Sequence, residues 1–311
     1  MCSRFRLLVV ALMLPACALA WQLESVPPAG IQVPLWAPEG SAVTRSSLMA
    51  SVDGMESDVM GVQGPADDLM LLVVLDLTDD LAAVEQARRA LIERLGALAP
   101  NQFVGVMHAQ NGLSVLAEPS ADREKAGEAI RSHPVGGRAG LLNTIQSAAE
   151  LGSSIMRRSG LRLAILYLTD SDIENYRENY TNDVVNSSDN GDLSRQNSDV
   201  LVRERISRMA QSLNETLAPV FISQLTYRTD RLNVAYQTGL ISLASATGGS
   251  ATISRSIAEI PSGINQLVDR ILTHYSVKVA LPDPGARTAA VALLAPEDAP
   301  IEYRSSFAFA R

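Results

Sequence analysis

Residues 69–80 of the chain have the sequence LMLLVVLDLTDD. Its first seven residues are all apolar, as expected of a central parallel strand that helices cover on both faces. Acidic and hydroxyl side chains follow where this strand must stop. Open α/β sheets bind ligands at the carboxyl ends of their strands, so the stretch predicts both a buried strand and a polar site at its end.

Outward from this strand, apolar strands alternate with amphipathic segments. Further strands of this region are predicted at 103–108, 113–117, 161–168 and 219–225. Helices are predicted at 80–98, 121–131, 141–156, 200–217, 232–246 and 257–274, and a long polar loop at 171–199. This alternation predicts an α/β domain, a Rossmann-like, doubly wound and mostly parallel sheet with helices on both faces.

The two ends of the chain have a different pattern. Short strands are predicted at 31–35 and 48–52, with a hairpin turn at 52–54, and strands of the tail at 275–281, 289–294 and 303–309. Neither end has enough strands to fold alone. We therefore divide the chain into a signal peptide (1–20), an N-terminal β segment (21–66), the α/β domain (67–279) and a C-terminal β segment (280–311) that pairs with 21–66.

Residues 1–20 have the features of a secretory signal: the basic residues Arg4 and Arg6, an apolar run, and a small-residue cleavage site at Ala18-Leu19-Ala20. We therefore expect an exported, periplasmic or extracellular protein with no transmembrane segment in the mature chain. The alternative is a lipoprotein anchored through Cys17, which Pro15 disfavours because it fits a lipobox poorly. Both cysteines of the chain lie in this segment, which excludes a disulfide framework and thiol catalysis in the rest.

The composition narrows the choice of partner. The formal net charge of the 311 residues is −8, and aromatic residues make up 5%. This balance disfavours nucleic acid and anionic lipid, and favours cationic partners or divalent metals.

Two of the predicted strands end in acids. The first is followed by Asp76, Thr78 and Asp80, and the strand at 161–168 by Asp170. Carboxylate and hydroxyl oxygens on loops between strands and helices suit a hard cation such as Mg²⁺, Mn²⁺ or Ca²⁺. A second interpretation of the same acids is helix capping, in which they accept backbone N–H bonds.

Four motifs together resemble the von Willebrand factor A (VWA) domain, particularly the exported "VWFA-related" proteins of bacteria. They are DLTDD at 76–80, GGRAGL at 136–141, TDSD at 169–172 and LASATGG at 243–249. The likeness covers roughly residues 45–281. It implies a binding module that mediates protein–protein interaction or adhesion, and it implies no enzymatic activity.

The resemblance also implies a metal site, the MIDAS, with Asp76, Thr78 and Asp170 as direct or water-mediated ligands and Asp80 as an unusual fourth. In that family the metal completes its coordination with a carboxylate of the partner protein. Here Ala139 stands where the family has a threonine ligand, and Asp80 replaces a serine. The site is therefore degenerate. Either the extra charge shifts its metal preference toward Ca²⁺, or the site has lost the ability to bind a metal.

The sequence leaves two other functions open. A metal-independent structural or assembly component of the envelope is the main alternative. A phosphatase of the haloacid-dehalogenase type is remote, because Thr78 stands where the general acid is needed. The three histidines are far apart in the sequence, and we predict that they are surface or edge residues.

Overall fold

The computed structural model describes residues 30–309, except 39, 42, 174–190 and 296–298 and except the side chains of 191–199 and 201. The strands are β1 Gly30–Trp36, β2 Met49–Val52, β3 Met55–Ser57, β4 Val59–Gln63, β5 Leu69–Asp76, β6 Gln102–His108, β7 Ser114–Ser120, β8 Arg162–Thr169, β9 Val220–Gln224, β10 Ala251–Ile253, β11 Tyr275–Ala280, β12 Thr288–Leu294, β13 Glu302–Tyr303 and β14 Ser306–Ala308. The α-helices are α1 Leu81–Gly96, α2 Arg123–Ser132, α3 Leu141–Ser159, α4 Gly191–Leu213, α5 Arg231–Ala246 and α6 Ile260–Thr273. The predicted signal peptide lies outside the described residues.

The central sheet has six strands in the order β10-β9-β8-β5-β6-β7. All neighbours are parallel except β7, which runs antiparallel to β6 at one edge. Helices α3, α4 and α5 contribute to the hydrophobic core on one face, and α1, α2 and α6 to the core on the other. The predicted fold class, a doubly wound and mostly parallel α/β sheet with flanking β segments, is confirmed.

Strand β5, which contains the apolar run of residues 69–75, lies in the middle of this sheet. The side chains of β5 are buried along nearly its whole length, and it pairs with β8 on one side and β6 on the other. Its register places Asp76 opposite Thr169. The carboxyl ends of β5 and β8 therefore meet, and their polar loops are neighbours.

The remaining strands form two four-stranded sheets, with the orders β13-β1-β11-β4 and β14-β12-β2-β3. We call these two sheets the flanking β lobe. In it β1 pairs with β11, and β12 pairs with β2, so strands from both ends of the chain are hydrogen-bonded together. The domain boundaries themselves remain predictions.

The hairpin predicted at 52–54 joins β2 to β3. Asp53 and Gly54 both have positive φ angles, 51° and 78°, as a tight two-residue hairpin turn requires.

The sequence misplaced the start of one helix. The loop predicted for 171–199 gives way to α4 at Gly191, nine residues before its predicted beginning, and residues 174–190 lie outside the described residues. The first part of α4 is polar and lacks helical periodicity. The buried residues Val202 and Ile206 pack its later part against the core, and tertiary packing of this kind overrides a weak local signal.

Two buried arginines connect the flanking β lobe to the α/β domain. Arg162, at the start of β8, donates hydrogen bonds to the carbonyl oxygens of Pro65, Asp67 and His274 at 3.2, 3.1 and 2.5 Å. Arg304 donates to the carbonyl oxygens of Thr216 and Asn214 in the segment before β9. Arg304 Nε also donates to the Ser306 carbonyl at 3.0 Å. A buried guanidinium offers five N–H donors, so each side chain satisfies carbonyls from two segments at once.

Across the described residues, no helix is long and apolar enough to cross a membrane.

Candidate functional site

Asp76 is the last residue of β5 and is completely buried. Its Oδ1 accepts a hydrogen bond from the backbone N–H of Gly140 at 2.7 Å, and its Oδ2 accepts one from Leu141 N–H at 3.1 Å. Oδ2 also accepts from the hydroxyls of Thr169 and Ser171, at 3.0 and 3.2 Å. The carboxylate therefore joins the end of β5, the loop after β8 and the first turn of α3.

Asp170 follows β8 and has the complementary role. Its Oδ1 accepts from both the backbone N–H and the hydroxyl of Thr78, at 2.6 and 3.0 Å. Its Oδ2 accepts from the N–H groups of Asp79 and Asp80, each at 2.9 Å. Three consecutive backbone N–H groups thus surround one internal carboxylate, an arrangement that favours an anion.

The two acids cap loops across the sheet. Asp170 holds the segment that leads from β5 into α1, while Asp76 holds the start of α3. Asp80 is the N-cap residue of α1, and its side chain accepts from Ala83 N–H at 3.0 Å. The capping interpretation of these acids therefore matches the geometry, with partners that spacing alone does not indicate.

Ala139 is buried just before α3, where the family resemblance implies a threonine ligand. The next residue has to be glycine, because a Cβ on Gly140 would lie 1.7 Å from the carbonyl oxygen of Ala109. This close approach positions the Gly140 and Leu141 N–H groups for Asp76. Ala139 supplies no oxygen to the site.

Binding of a divalent metal by these residues would compete with hydrogen bonds that they already make. Mg²⁺, Mn²⁺ and Ca²⁺ need oxygen ligands with available lone pairs. Both oxygens of Asp76 and both of Asp170 already accept hydrogen bonds from the protein, and Asp80 is engaged as a cap. Within the described part of the chain, no group of three or more His, Cys, Asp or Glu side chains could hold a metal ion. Ligation by Asp76, Thr78, Asp80 and Asp170 therefore stays a prediction.

The surface above these acids carries exposed apolar side chains. Leu81, Tyr227, Val234 and Ile257 lie in the turns and first helical residues that follow the carboxyl ends of the central strands, and each is at least 40% exposed. We call the surface formed by these four residues, with Asp79, Asp172, Arg228 and Arg255, the loop face.

Charged groups of both signs lie among the apolar residues of the loop face. Arg228 is 3.8 Å from the Asp172 carboxylate, and the Arg255 guanidinium lies over the Tyr227 ring, 5.9 Å from its centre. Partial burial, together with the nearby carboxylates of Asp170 and Asp172, raises the pKa of Asp79. The loop face therefore combines apolar anchors with charged groups of both signs.

Sequence reasoning missed a polar network next to this site. The Gln110 amide donates to the Leu77 carbonyl and faces Nε2 of His133 at 3.1 Å, and the rings of His108 and His133 are 5.3 Å apart. The prediction that the histidines are surface or edge residues was wrong for His133 and His274, which are buried. Only contacts between distant segments bury them, so a single sequence contains no signal for them.

Burial raises the pKa of Asp76 from 3.8 to about 6, and the nearby Asp170 charge adds to this rise. Burial lowers the pKa of His133 and of His274 from 6.5 to about 4, aided by His108 and Arg162, respectively. The folded state therefore binds a proton at Asp76 more tightly than the unfolded state does, and binds protons at the two histidines less tightly.

These shifts predict opposite contributions to stability. The histidines stabilise the fold above about pH 6.5, and this contribution is lost as the pH falls toward 4. Asp76 offsets part of the loss, because its own contribution grows as the pH falls from about 6 to 4, by about 3 kcal/mol in total. We expect Asp76→Asn to lose stability more steeply on acidification than wild type, as measured by urea unfolding between pH 7 and 4. Parallel curves for the two proteins would contradict the raised pKa.

Comparison with known proteins adds a likeness of fold alone. No family model and no curated protein matches the sequence. Among solved structures, a von Willebrand factor type A protein from Catenulispora acidiphila matches with 10% identity and a TM-score of 0.47, over 93% of this chain and 76% of that one. An aerotolerance-related membrane protein from Bacteroides fragilis matches with 14% identity and a TM-score of 0.38, over 65% and 99%.

A third similar structure is proximal thread matrix protein 1 of the mussel byssus, described with a zinc-occupied MIDAS motif. It matches with 12% identity and a TM-score of 0.45, over 71% of this chain and 50% of that one. Several of the matches are VWA structures. Because these TM-scores lie below 0.5, the fold assignment rests on the strand order and packing described above.

Proposed function

We propose that this chain is a non-enzymatic, protein-binding module of the VWA type, which contacts its partner through the loop face and needs no divalent cation to shape that face. The observation that carries the proposal is the difference between the buried acids and the exposed surface above them. The buried acids are fully hydrogen-bonded within the protein, while Leu81, Tyr227, Val234 and Ile257 remain exposed above them. Exposed apolar residues among charges, with tyrosine and arginine present, are typical of protein interfaces.

The hydrogen-bond arrangement supports independence from metal. In a metal-dependent module the carboxylate oxygens bind the ion, whereas here backbone N–H groups and hydroxyls donate hydrogen bonds to the carboxylates of Asp76 and Asp170. A cation would have to displace several of these bonds, and buried donors left without partners cost about 1–3 kcal/mol each.

We also propose that the module acts outside the cytoplasm after cleavage behind Ala20, because residues 1–20 combine a basic start, an apolar run and a small-residue cleavage site. Intact-mass measurement of the chain from its native host is expected to show a mature protein beginning at Trp21. A mass that corresponds to an N-terminal, lipid-modified Cys17 would instead support the lipoprotein alternative.

Site-specific photocrosslinking in the native host tests the binding function. A photoreactive side chain at Tyr227 or Ile257 is expected to crosslink to one discrete partner protein. The same group at Val115 or Leu151, which are also exposed but lie off the loop face, is the matched control and should give no such product. Equal crosslinking from both pairs of positions would count against a specific loop face.

Chelation decides the role of metal in the same experiment. We expect EDTA, and added Mg²⁺, Mn²⁺ or Ca²⁺, to change neither the crosslinking yield nor the melting temperature, since a ligand that binds the native state must raise stability. A rise in melting temperature that disappears in Asp76→Ala would overturn the cation-independent proposal and restore the metal-dependent one.

A further inference from the structure

A second candidate site lies at the opposite end of α3 from the loop face. The cleft is about 410 Å³ in volume and lies between the C-terminal end of α3 and the sheet that contains β1, β4 and β11. At 1.5 Å per helical residue, it is roughly 24 Å from the Gly140 end of that helix. We call it the basal cleft. Sites between two structural units, with volumes of about 300–1,000 Å³, are typical of small-molecule binding.

Neutral polar side chains converge on the basal cleft without partners of their own. Gln32, Gln63 and Ser276 line it from three adjacent strands, and Gln63 pairs directly with Ser276 in the register of β4 and β11. Gln32 and Ser276 are more than nine-tenths buried. None of the three side chains makes a hydrogen bond to a described residue. Buried polar groups normally find a partner, so these groups are available to a ligand.

Two cations reach the same cleft. Lys278 comes from β11 and Arg157 from the last turn of α3. A Cβ built on Gly30 would come within 2.9 Å of Lys278 Cε, so the glycine leaves the space in which the lysine stem lies. Neither cation forms an ion pair with a described residue, and no carboxylate is among the described lining residues. The cleft is therefore positive in a chain whose formal net charge is −8.

One wall of the basal cleft is apolar. Val62, Met156 and Leu217 supply it, and Met156 and Leu217 are nearly fully buried. Val62 is only partly buried, so part of this wall is open to the cleft. The site therefore favours a molecule with a charged head and an apolar body.

We propose that the basal cleft binds a small amphipathic organic anion, with its charged head at Arg157 and Lys278 and its apolar body against Val62, Met156 and Leu217. The guanidinium of Arg157 can pair with two oxygens of a carboxylate or phosphate, and the ammonium of Lys278 acts as a point charge. Gln32, Gln63 and Ser276 complete the hydrogen bonds of the head. This site is separate from the loop face, so anion binding there does not depend on the proposed protein-binding function.

Isothermal titration calorimetry of the mature chain with four probes of equal tail length tests the proposal. The probes are nonanoate, octyl phosphate, octan-1-ol and octyltrimethylammonium, each of which carries an eight-carbon tail. We expect one or both anions to bind, with the better one identifying the head as carboxylate or phosphate, and the neutral and cationic probes to bind at least tenfold more weakly. Failure of both anions to bind at millimolar concentration, or equal binding of octan-1-ol, would overturn the proposal.

Variants connect the binding to the cleft. Arg157→Gln with Lys278→Gln is expected to weaken anion binding about tenfold or more, since loss of a charge-assisted hydrogen bond costs about 1.5–3 kcal/mol and each 1.4 kcal/mol is a factor of ten. Arg158→Gln removes the same charge from the neighbouring residue and is the matched control, which should bind as wild type does. A Cβ at Gly61 would meet nothing within 4 Å, so the protein can accept a larger side chain there. Gly61→Val would fill part of the cleft with that side chain and should also abolish binding. Unchanged affinity in both cleft variants would place the anion elsewhere.

Discussion

Asp170→Ala is expected to lower the free energy of unfolding by about 3–5 kcal/mol, and millimolar formate should restore part of the loss. The substitution leaves the N–H groups of Thr78, Asp79 and Asp80 and the Thr78 hydroxyl without their acceptor. It also leaves a carboxylate-sized space lined by those donors. Formate fits that space and supplies the missing oxygens, so it should stabilise the variant and leave wild type unchanged.

Urea unfolding with and without formate measures this effect. Asp172→Ala is the matched control, because it removes a carboxylate two residues away whose ion pair with Arg228 is 3.8 Å long and partly exposed. We expect that change to cost no more than about 0.5 kcal/mol. An Asp170→Ala protein as stable as Asp172→Ala would show that Asp170 does not hold the loop.

Arg162→Met is expected to cost about 3–5 kcal/mol, because it removes one partner from a fully buried polar cluster. The methionine fills much of the space but leaves the carbonyl oxygens of Pro65, Asp67 and His274 without donors. Arg162→Lys should be intermediate, since an ammonium cannot reach all three carbonyls with a planar fork.

Hydrogen exchange tests whether Arg162 joins the two parts of the molecule. In Arg162→Met the amides of β4 and β11 should exchange faster, while those of β5 and β6 change less. Arg158→Met, on an exposed position of α3, is the control and should leave both stability and exchange as in wild type. Uniform acceleration across all strands would mean that the arginine contributes only to global stability.

Much of the fold could be predicted because its signals are local. The apolar run of β5 and the spacing of α1 each determine an element within about twenty residues, and the positive φ angles of Asp53 and Gly54 match the hairpin signal. The start of α4 could not be predicted in this way, because its first residues are polar and its helical state depends on contacts made further along the chain.

The site was predicted in its position but not in its bonding. Sequence patterns placed Asp76 and Asp170 at the ends of two strands, and the structure shows that these strands are neighbours. They could not indicate that each acid would accept hydrogen bonds from the loop of another strand. Those bonds depend on the strand order and on the close approach of Gly140 to Ala109, which only the assembled sheet provides.

The flanking β lobe also has a consequence for the order of folding. Leu35 pairs with Tyr275, about 240 residues further along the chain. In the same way, β2 can pair with β12 only after β12 has been synthesised. Contacts this distant in sequence close late, because loop-closure entropy opposes them until the intervening chain is compact. During synthesis the α/β domain can therefore fold first, while β1 and β4 remain without β11 and β2 remains without β12. A chain interrupted before residue 275 would carry unpaired apolar strands that invite aggregation, so this lobe can close only after β11 and β12 have been synthesised.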